Sequence, residues 1–160
     1  MIDYLARRAA LIVVSLGLVA CVDSSRPGPI TDYTPVVAAA SQGNVDFVRH
    51  AIQSDPRVVR RTEWSGNTLL HDAVERGQQG VARLLLDYKA DPNARNGNGF
   101  TPLHVAAQNG DIAIIDLLLA RGAKINRRDK QGRTPFDIAQ AWRHTEAAAL
   151  LAARGGKAGA

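Results

Sequence analysis

Two histidines and one cysteine are the first residues whose type and placement could carry chemistry. His71 and His104 lie 33 positions apart in matching surroundings, Thr68-Leu69-Leu70-His71 and Thr101-Pro102-Leu103-His104. A recurring histidine is a candidate metal ligand or proton carrier. No cysteine and no third histidine stands at ligand spacing around either one, so no metal is expected. Ser15 and Ser41 lack a partnered histidine motif, and no glycine loop follows a strand to cradle a phosphate. The scattered carboxylates suit helix caps and solvated faces. The residues therefore predict a protein that is not an enzyme and holds no cofactor.

Cys21 carries a different chemistry. Arg7 and Arg8 precede an apolar run, Ala9 to Ala20, broken only by Ser15 and Gly17, and the run ends in Leu18-Val19-Ala20-Cys21. Basic residues, a dozen apolar ones and a small-residue end describe a secretory signal, and the run is short of the roughly 20 residues a spanning helix needs. The last four residues resemble the lipobox of bacterial lipoproteins, which implies that Cys21 is acylated and becomes the first mature residue. The alternative is an uncleaved anchor with an incidental cysteine. Cys21 is the only cysteine, which also excludes an internal disulfide framework. Each buried methylene adds about 0.8 kcal/mol of membrane affinity, so more than one acyl chain gives a stable tether. Residues 1–20 are read as a signal peptide. Residues 21–30, with Ser24, Ser25, Pro27, Gly28 and Pro29, are read as the lipidated cysteine and a flexible linker. General secretion is preferred to twin-arginine export, because the residues after Arg8 do not match that signal. The resemblance implies a periplasm-facing lipoprotein. Val22 does not resemble the aspartate that retains such proteins at the inner membrane, which favours the outer one, although Asp23 follows.

The elements behind these residues come from a repeat. Thr101-Pro102-Leu103-His104-Val105-Ala106-Ala107-Gln108-Asn109-Gly110 has a relative at Thr68 to Gly77, another beginning Thr134-Pro135-Phe136-Asp137-Ile138-Ala139, and a fainter one at Thr34 to Gly43. A fixed period of 33 or 34 residues decides the architecture. Thr101 can cap a helix and Pro102 fits its first position. Ala106 and Ala107 allow close helix packing, and Gly110 supplies a left-handed end. Ile112, Ile115, Leu118 and Leu119 recur at helical spacing and give a second helix its buried stripe. Lys89 stands where the third unit has Gly122. A lysine at positive φ costs about 1 kcal/mol, so that helix is expected to end differently.

These residues resemble the ankyrin repeat family over about 31–156. The resemblance implies an all-α solenoid of four helix-turn-helix units (31–65, 66–98, 99–131, 132–156) joined by hairpin-like fingers. One unit cannot hide its apolar face alone, and stacking hides it. The family's histidine bonds around the threonine turn and between units, which implies a structural role for His71 and His104. Asp137 and Arg143 depart from the pattern, and the fourth unit reads as a cap. The tail from Arg154, with 157–160 at its end, is expected to be disordered. Arg57, Arg60 and Arg61 are placed in the first finger with Trp64 near its tip.

In the family, recognition falls on finger tips and on the exposed end of each first helix. By position this gives Thr62, Trp64, Ser65, Asn67, Glu75 and Arg76 for the second unit. For the third it gives Arg95, Gly97, Asn98, Phe100, Gln108 and Asn109. For the fourth it gives Arg128, Lys130, Gln131, Arg133, Ala141 and Trp142, with Lys124 and Arg127 deepening a basic patch. Each aromatic is either a binding anchor or a packing residue.

The apolar content of 46% with only 5% aromatics suits an alanine- and leucine-built helical stack. The net charge of +5 permits an acidic protein, an anionic lipid or a nucleic acid as partner. Export separates the protein from the genome, so nucleic acid is set aside. The leading expectation is a monomeric, lipid-anchored binding module whose concave face takes an unidentified protein. The alternatives are an immunity protein that neutralises a periplasm-delivered toxic enzyme, and an accessory factor for an envelope stress-defence enzyme.

Overall fold

The computed structural model describes residues 34–159, so Cys21, the apolar run and the linker lie outside the described residues. Eight α-helices form four pairs: α1 (Thr34–Ser41) with α2 (Val45–Ser54), α3 (Leu69–Glu75) with α4 (Gln79–Asp87), α5 (Pro102–Asn109) with α6 (Ile112–Ala120), and α7 (Pro135–Ala141) with α8 (Thr145–Ala153). Each first helix packs on the first helices of its neighbours, and each second helix does the same in an outer row. This is the all-α solenoid of four helix pairs that the repeat implied. Among the described residues no strand forms, only an isolated antiparallel bridge between Thr62 and Thr68. No described helix is long and apolar enough to cross a membrane.

The rows follow from side-chain size. The inner row buries Ala39, Ala40, Ala73, Ala106, Ala107 and Ala139, which let the first helices approach closely. The outer row buries Val48, Ile52, Val81, Leu85, Ile115, Leu118 and Leu151, and Leu69, Leu70, Leu103 and Ile138 of the inner row complete the core; burial of these large apolar side chains stabilises the stack. On the outer face of the last unit, Thr145, Ala148 and Ala152 stand at the places of Ile112, Ile115 and Leu119. Small side chains there cap the stack.

Threonines start the inner helices. Thr68, Thr101 and Thr134 each form a capping box with His71, His104 or Asp137. Gly110 ends α5 at φ 70, and a Cβ there would lie 2.6 Å from the His144 ring. The expected difference at Lys89 does not occur. Lys89 adopts φ 65 and Arg143 φ 60, and Ala90 N–H still closes the helix onto the Leu85 carbonyl at 2.9 Å. A Cβ at the equivalent Gly122 would meet nothing within 4 Å, so a side chain there carries only the backbone cost.

The fingers repeat one hydrogen bond: Glu63 N–H to the Asn67 carbonyl (2.8 Å), Asn96 to Phe100 (2.9 Å) and Asp129 to Arg133 (2.9 Å). Neighbouring fingers join through Gly97 N–H to the Ser65 carbonyl (2.7 Å) and Lys130 N–H to the Asn98 carbonyl (3.1 Å). A Cβ at Gly97 would sit 2.6 Å from the Ser65 oxygen, so a glycine is required at that crossing.

Two expectations are corrected. Arg57 and Arg60 do not lie in the finger but on a 3-10 helix, Pro56–Arg60, which Asp55 caps by accepting from Arg57 N–H at 3.0 Å. That turn exists because Val58 and Val59 need burial. The tail is also tied down through residue 159. Asn126 accepts from Lys157 N–H (2.8 Å) and donates to the Gly155 carbonyl (3.0 Å), as Asn93 does with Lys124 and Gly122 33 positions earlier. Gly159 N–H then donates to Asp137 Oδ2 at 2.7 Å.

Candidate protein-binding surface

The expected recognition residues divide into those already engaged and those presented to solvent. Asn109, at the end of α5, donates from Nδ2 to the carbonyls of Val74 (3.2 Å) and Glu75 (2.9 Å), so it staples two units together. Asn67 accepts from Asn96 Nδ2 at 2.9 Å, linking the first two fingers. Arg95 donates from Nη2 to the Arg128 carbonyl at 3.1 Å, linking the second and third. Gln108 is half-buried, and its carbonyl accepts from His144 Nε2 at 2.9 Å.

Phe100 is half-buried against the core. Its ring stacks on His104 with centroids 5.3 Å apart, and the Arg133 guanidinium lies 5.7 Å from its centroid. Arg133 is further held by Asp129 Oδ2 at 2.9 Å and by Gln131 Oε1 at 3.2 Å. Burial pushes the Asp129 carboxyl up, but hydrogen bonds from Arg133 and Gln131 outweigh it and hold the group below its ordinary value. Phe100 and Arg133 thus form a packed pair at the finger base.

The presented residues are different. Trp64 is fully exposed, with Thr62 and Ser65 exposed beside it. Of the two readings open for Trp64, packing beneath the finger is ruled out by this placement. Glu75 and Arg76 stand exposed at the end of α3, and Asn98 and Gly97 at the tip of the second finger. Arg128 and Lys130 are exposed on the third. Trp142 caps α7 and is 57% exposed, next to exposed Ala141. Lys124, Arg127 and Lys130 are exposed and make no ion pair among the described residues.

The two histidines are buried. His71 Nε2 lies 3.0 Å from the Phe100 carbonyl and His104 Nε2 3.1 Å from the Arg133 carbonyl. Nδ1 accepts from Thr68 N–H (3.2 Å) and Thr101 N–H (3.1 Å), so Nε2 carries the proton. Burial lowers the pKa of both. Their nitrogens are spent on the fold, as the repeat implied.

Asp72 was not singled out from sequence. It stands on α3 where α5 has Val105, and it is 7% exposed. Its Oδ1 has only a long 3.5 Å contact with Asn67 Nδ2, and Oδ2 has no hydrogen-bond partner. Burial, then Glu63 and Glu75, raise its pKa to about 7. A charged residue at an apolar position of the repeat was the available signal.

A family model described as ankyrin repeats (many copies) matches residues 70–119 and 111–152. The chain is similar to a human 2-5A-dependent ribonuclease, 33% identical over 76 residues, which is 48% of this chain and 10% of that protein. It is also similar to palmitoyltransferase akr1 of Schizosaccharomyces pombe, 40% identical over 60 residues, 38% of this chain and 9% of that protein. The chain thus spans about a tenth of the length of these curated relatives.

Proposed function

Because the chain belongs to the ankyrin repeat family, a family of protein-interaction repeats, we propose that it is a non-catalytic binding module whose concave face and finger tips take a protein partner. The observation that carries this reading is the fully exposed Trp64 at the tip of the first finger. An indole held in solvent on a backbone-bonded hairpin costs solvation and has no packing role, and tryptophan is among the commonest interface anchors. Glu75, Arg76, Asn98, Arg128, Lys130 and Trp142 extend the same surface.

The module is placed in the bacterial envelope, anchored through Cys21 and facing the periplasm, and it acts as a monomer. Leu18-Val19-Ala20-Cys21 after a basic and apolar leader supports this part. The two parts are tested separately. A photo-crosslinker at Lys130 in living cells, followed by mass identification, should capture one dominant protein, and Trp64→Ala should reduce the capture. Capture of nothing above background would overturn the binding reading. Fatty-acid labelling that marks the wild type and spares Cys21→Ser tests the anchor; equal labelling of both would overturn it.

A further inference from the structure

A side-chain amide staples the second helix pair to the third, and another ties the third to the turn after α8. Asn93 accepts from Lys124 N–H at 2.7 Å and donates to the Gly122 carbonyl at 3.1 Å. Asn126 makes the same two bonds, with Lys157 N–H at 2.8 Å and the Gly155 carbonyl at 3.0 Å. Counted back 33 positions from Asn93, Gly122 and Lys124, the first junction has Arg60, Lys89 and Asp91. A guanidinium only donates, so Arg60 cannot accept from an N–H. Among the described residues nothing bonds the Asp91 N–H or the Lys89 carbonyl. The turn that carries them is otherwise the same: Ala90 N–H reaches the Leu85 carbonyl at 2.9 Å, as Ala123 reaches Leu118 at 3.0 Å.

The missing staple leaves room. A cavity of about 410 Å³ opens at this spot, lined by Val59, Arg60, Thr62, Thr68, Lys89 and Asp91. That is far more than one water needs. Arg60, Thr62, Lys89 and Asp91 are exposed, so the space is open to solvent. Arg60 and Lys89 make no ion pair among the described residues. Lys89 also keeps a side chain at φ 65, where the later units have Gly122 and Gly155. A side chain held on unfavourable backbone points to a use for that side chain.

The chemistry of the lining selects an occupant. Asp91 N–H, the Arg60 guanidinium and the Lys89 ammonium donate. The Lys89 carbonyl accepts, and the Asp91 carboxylate, which already takes the Asn93 N–H at 2.8 Å, adds a negative charge. A bound carboxylate would suit the donors but face the Lys89 carbonyl and Asp91. A bound ammonium would suit the carbonyl but face two cations. A carboxamide both accepts and donates from one planar group. Asn93 and Asn126 show that it spans this backbone pair.

We propose that the cavity is a slot for an asparagine side chain of the partner polypeptide, its amide oxygen on the Asp91 N–H and its amide nitrogen on the Lys89 carbonyl. The proposal rests on the reading of the chain as a binding module. Arg60 and Lys89 stand at the rim and supply further donors to the amide oxygen. The partner thereby completes, from outside, the staple that the chain makes for itself in the later units.

The test follows the Asp91 backbone amide by NMR in the full chain in non-ionic detergent. The probe is acetyl-Gly-Asn-Gly-amide, with the aspartate and leucine peptides of the same frame as controls. The asparagine peptide should shift the Asp91 signal saturably and bind about tenfold tighter than the leucine peptide, which can make neither bond. Arg60→Asn, which rebuilds the staple from within, should abolish the response. Arg60→Ala, at the same exposed position, leaves both backbone groups free and should retain it. Equal shifts from the leucine peptide, tighter binding of the aspartate peptide, an undiminished response in Arg60→Asn or a lost one in Arg60→Ala would each overturn the slot. In cells, Arg60→Asn should cut crosslinked capture at Lys130 several-fold; unchanged capture would overturn the assignment to the partner. Failure of the asparagine peptide with capture intact would sink the slot and leave the binding module standing.

Discussion

The carbonyl of Arg133 accepts a hydrogen bond from His104 Nε2 at 3.1 Å, across 29 positions of chain. That carbonyl also closes its own finger through Asp129 N–H at 2.9 Å, so one oxygen joins the third helix pair to the third finger. His71 repeats the arrangement on the Phe100 carbonyl. His104→Ala would empty a buried site, release the Thr101 cap and orphan the Arg133 oxygen, at a cost of about 2–4 kcal/mol. Urea unfolding of wild type and variant at neutral pH measures this.

The same histidines set an acid limit. Burial lowers both pKa values from 6.5, so the folded protein binds fewer protons than the unfolded chain. Their contribution is complete above pH 6.5 and falls as pH drops below it. Asp72 acts in the opposite sense. Its folded pKa is raised from 3.8 to about 7, so its contribution is complete below the unfolded value and is lost as pH rises towards 7. Wild type compared with Asp72→Asn should therefore lose stability between these two values, by a few kcal/mol. Asp72→Val, which copies Val105, should gain about 1–3 kcal/mol at neutral pH, because it removes a buried carboxylate whose Oδ2 has no hydrogen-bond partner. Denaturation midpoints across the pH range follow both effects.

The architecture was readable because its causes are local and repeated. Thr101, Pro102, Gly110 and the Ile112–Leu119 stripe each act within one helix or one turn, and a 33-residue spacing then places the next copy. Legibility failed where a residue acts through a neighbour far along the chain. Asn109 looked like a recognition residue, yet its amide is spent on Val74 and Glu75 some 34 positions away. Gln78 and His144 make similar reaches to the Ser41 and Gln108 carbonyls. The tail carried a signal of its own: Arg154-Gly155-Gly156-Lys157 repeats Arg121-Gly122-Ala123-Lys124 at 33 positions, and Asn126 holds the Lys157 N–H as Asn93 holds that of Lys124, whereas the hold of Asp137 on Gly159 has no counterpart in the repeat.

The third finger and the turn before it carry Lys124, Arg127, Arg128, Lys130 and Arg133; Asp129 pairs with Arg133 and the charge of Arg128 acts on Asp137, while Lys124, Arg127 and Lys130 make no ion pair among the described residues. Exposed like charges repel within a Debye length, about 10 Å at 0.1 M salt. Changing Lys124, Arg127 and Lys130 together to glutamine should leave the melt within about 0.5 kcal/mol of wild type at high salt, and raise it slightly at low salt. Melting from low to high sodium chloride should thus stabilise the wild type more than the variant. An equal salt response would mean that the three cations do not feel one another.

Trp64 and Phe100 look alike in sequence, each an aromatic close to a finger glycine, and the structure gives them opposite roles. Phe100 lies against the core, stacked on His104 beneath Arg133. Phe100→Ala should therefore lower stability by about 1–3 kcal/mol, through lost burial and a cation–π contact. Its effect on partner capture would follow from loosening of the second finger. Trp64 touches solvent throughout, so Trp64→Ala should shift the melt by less than about 0.5 kcal/mol. It should nevertheless cut crosslinked capture at Lys130 at least tenfold, because an interface tryptophan is commonly worth about 2 kcal/mol or more. A double comparison separates the roles: thermal melts rank Phe100→Ala below wild type and Trp64→Ala level with it, while capture at a temperature where all three are folded ranks Trp64→Ala lowest. Capture that tracks the melts instead would mean that the finger's shape matters and the indole does not.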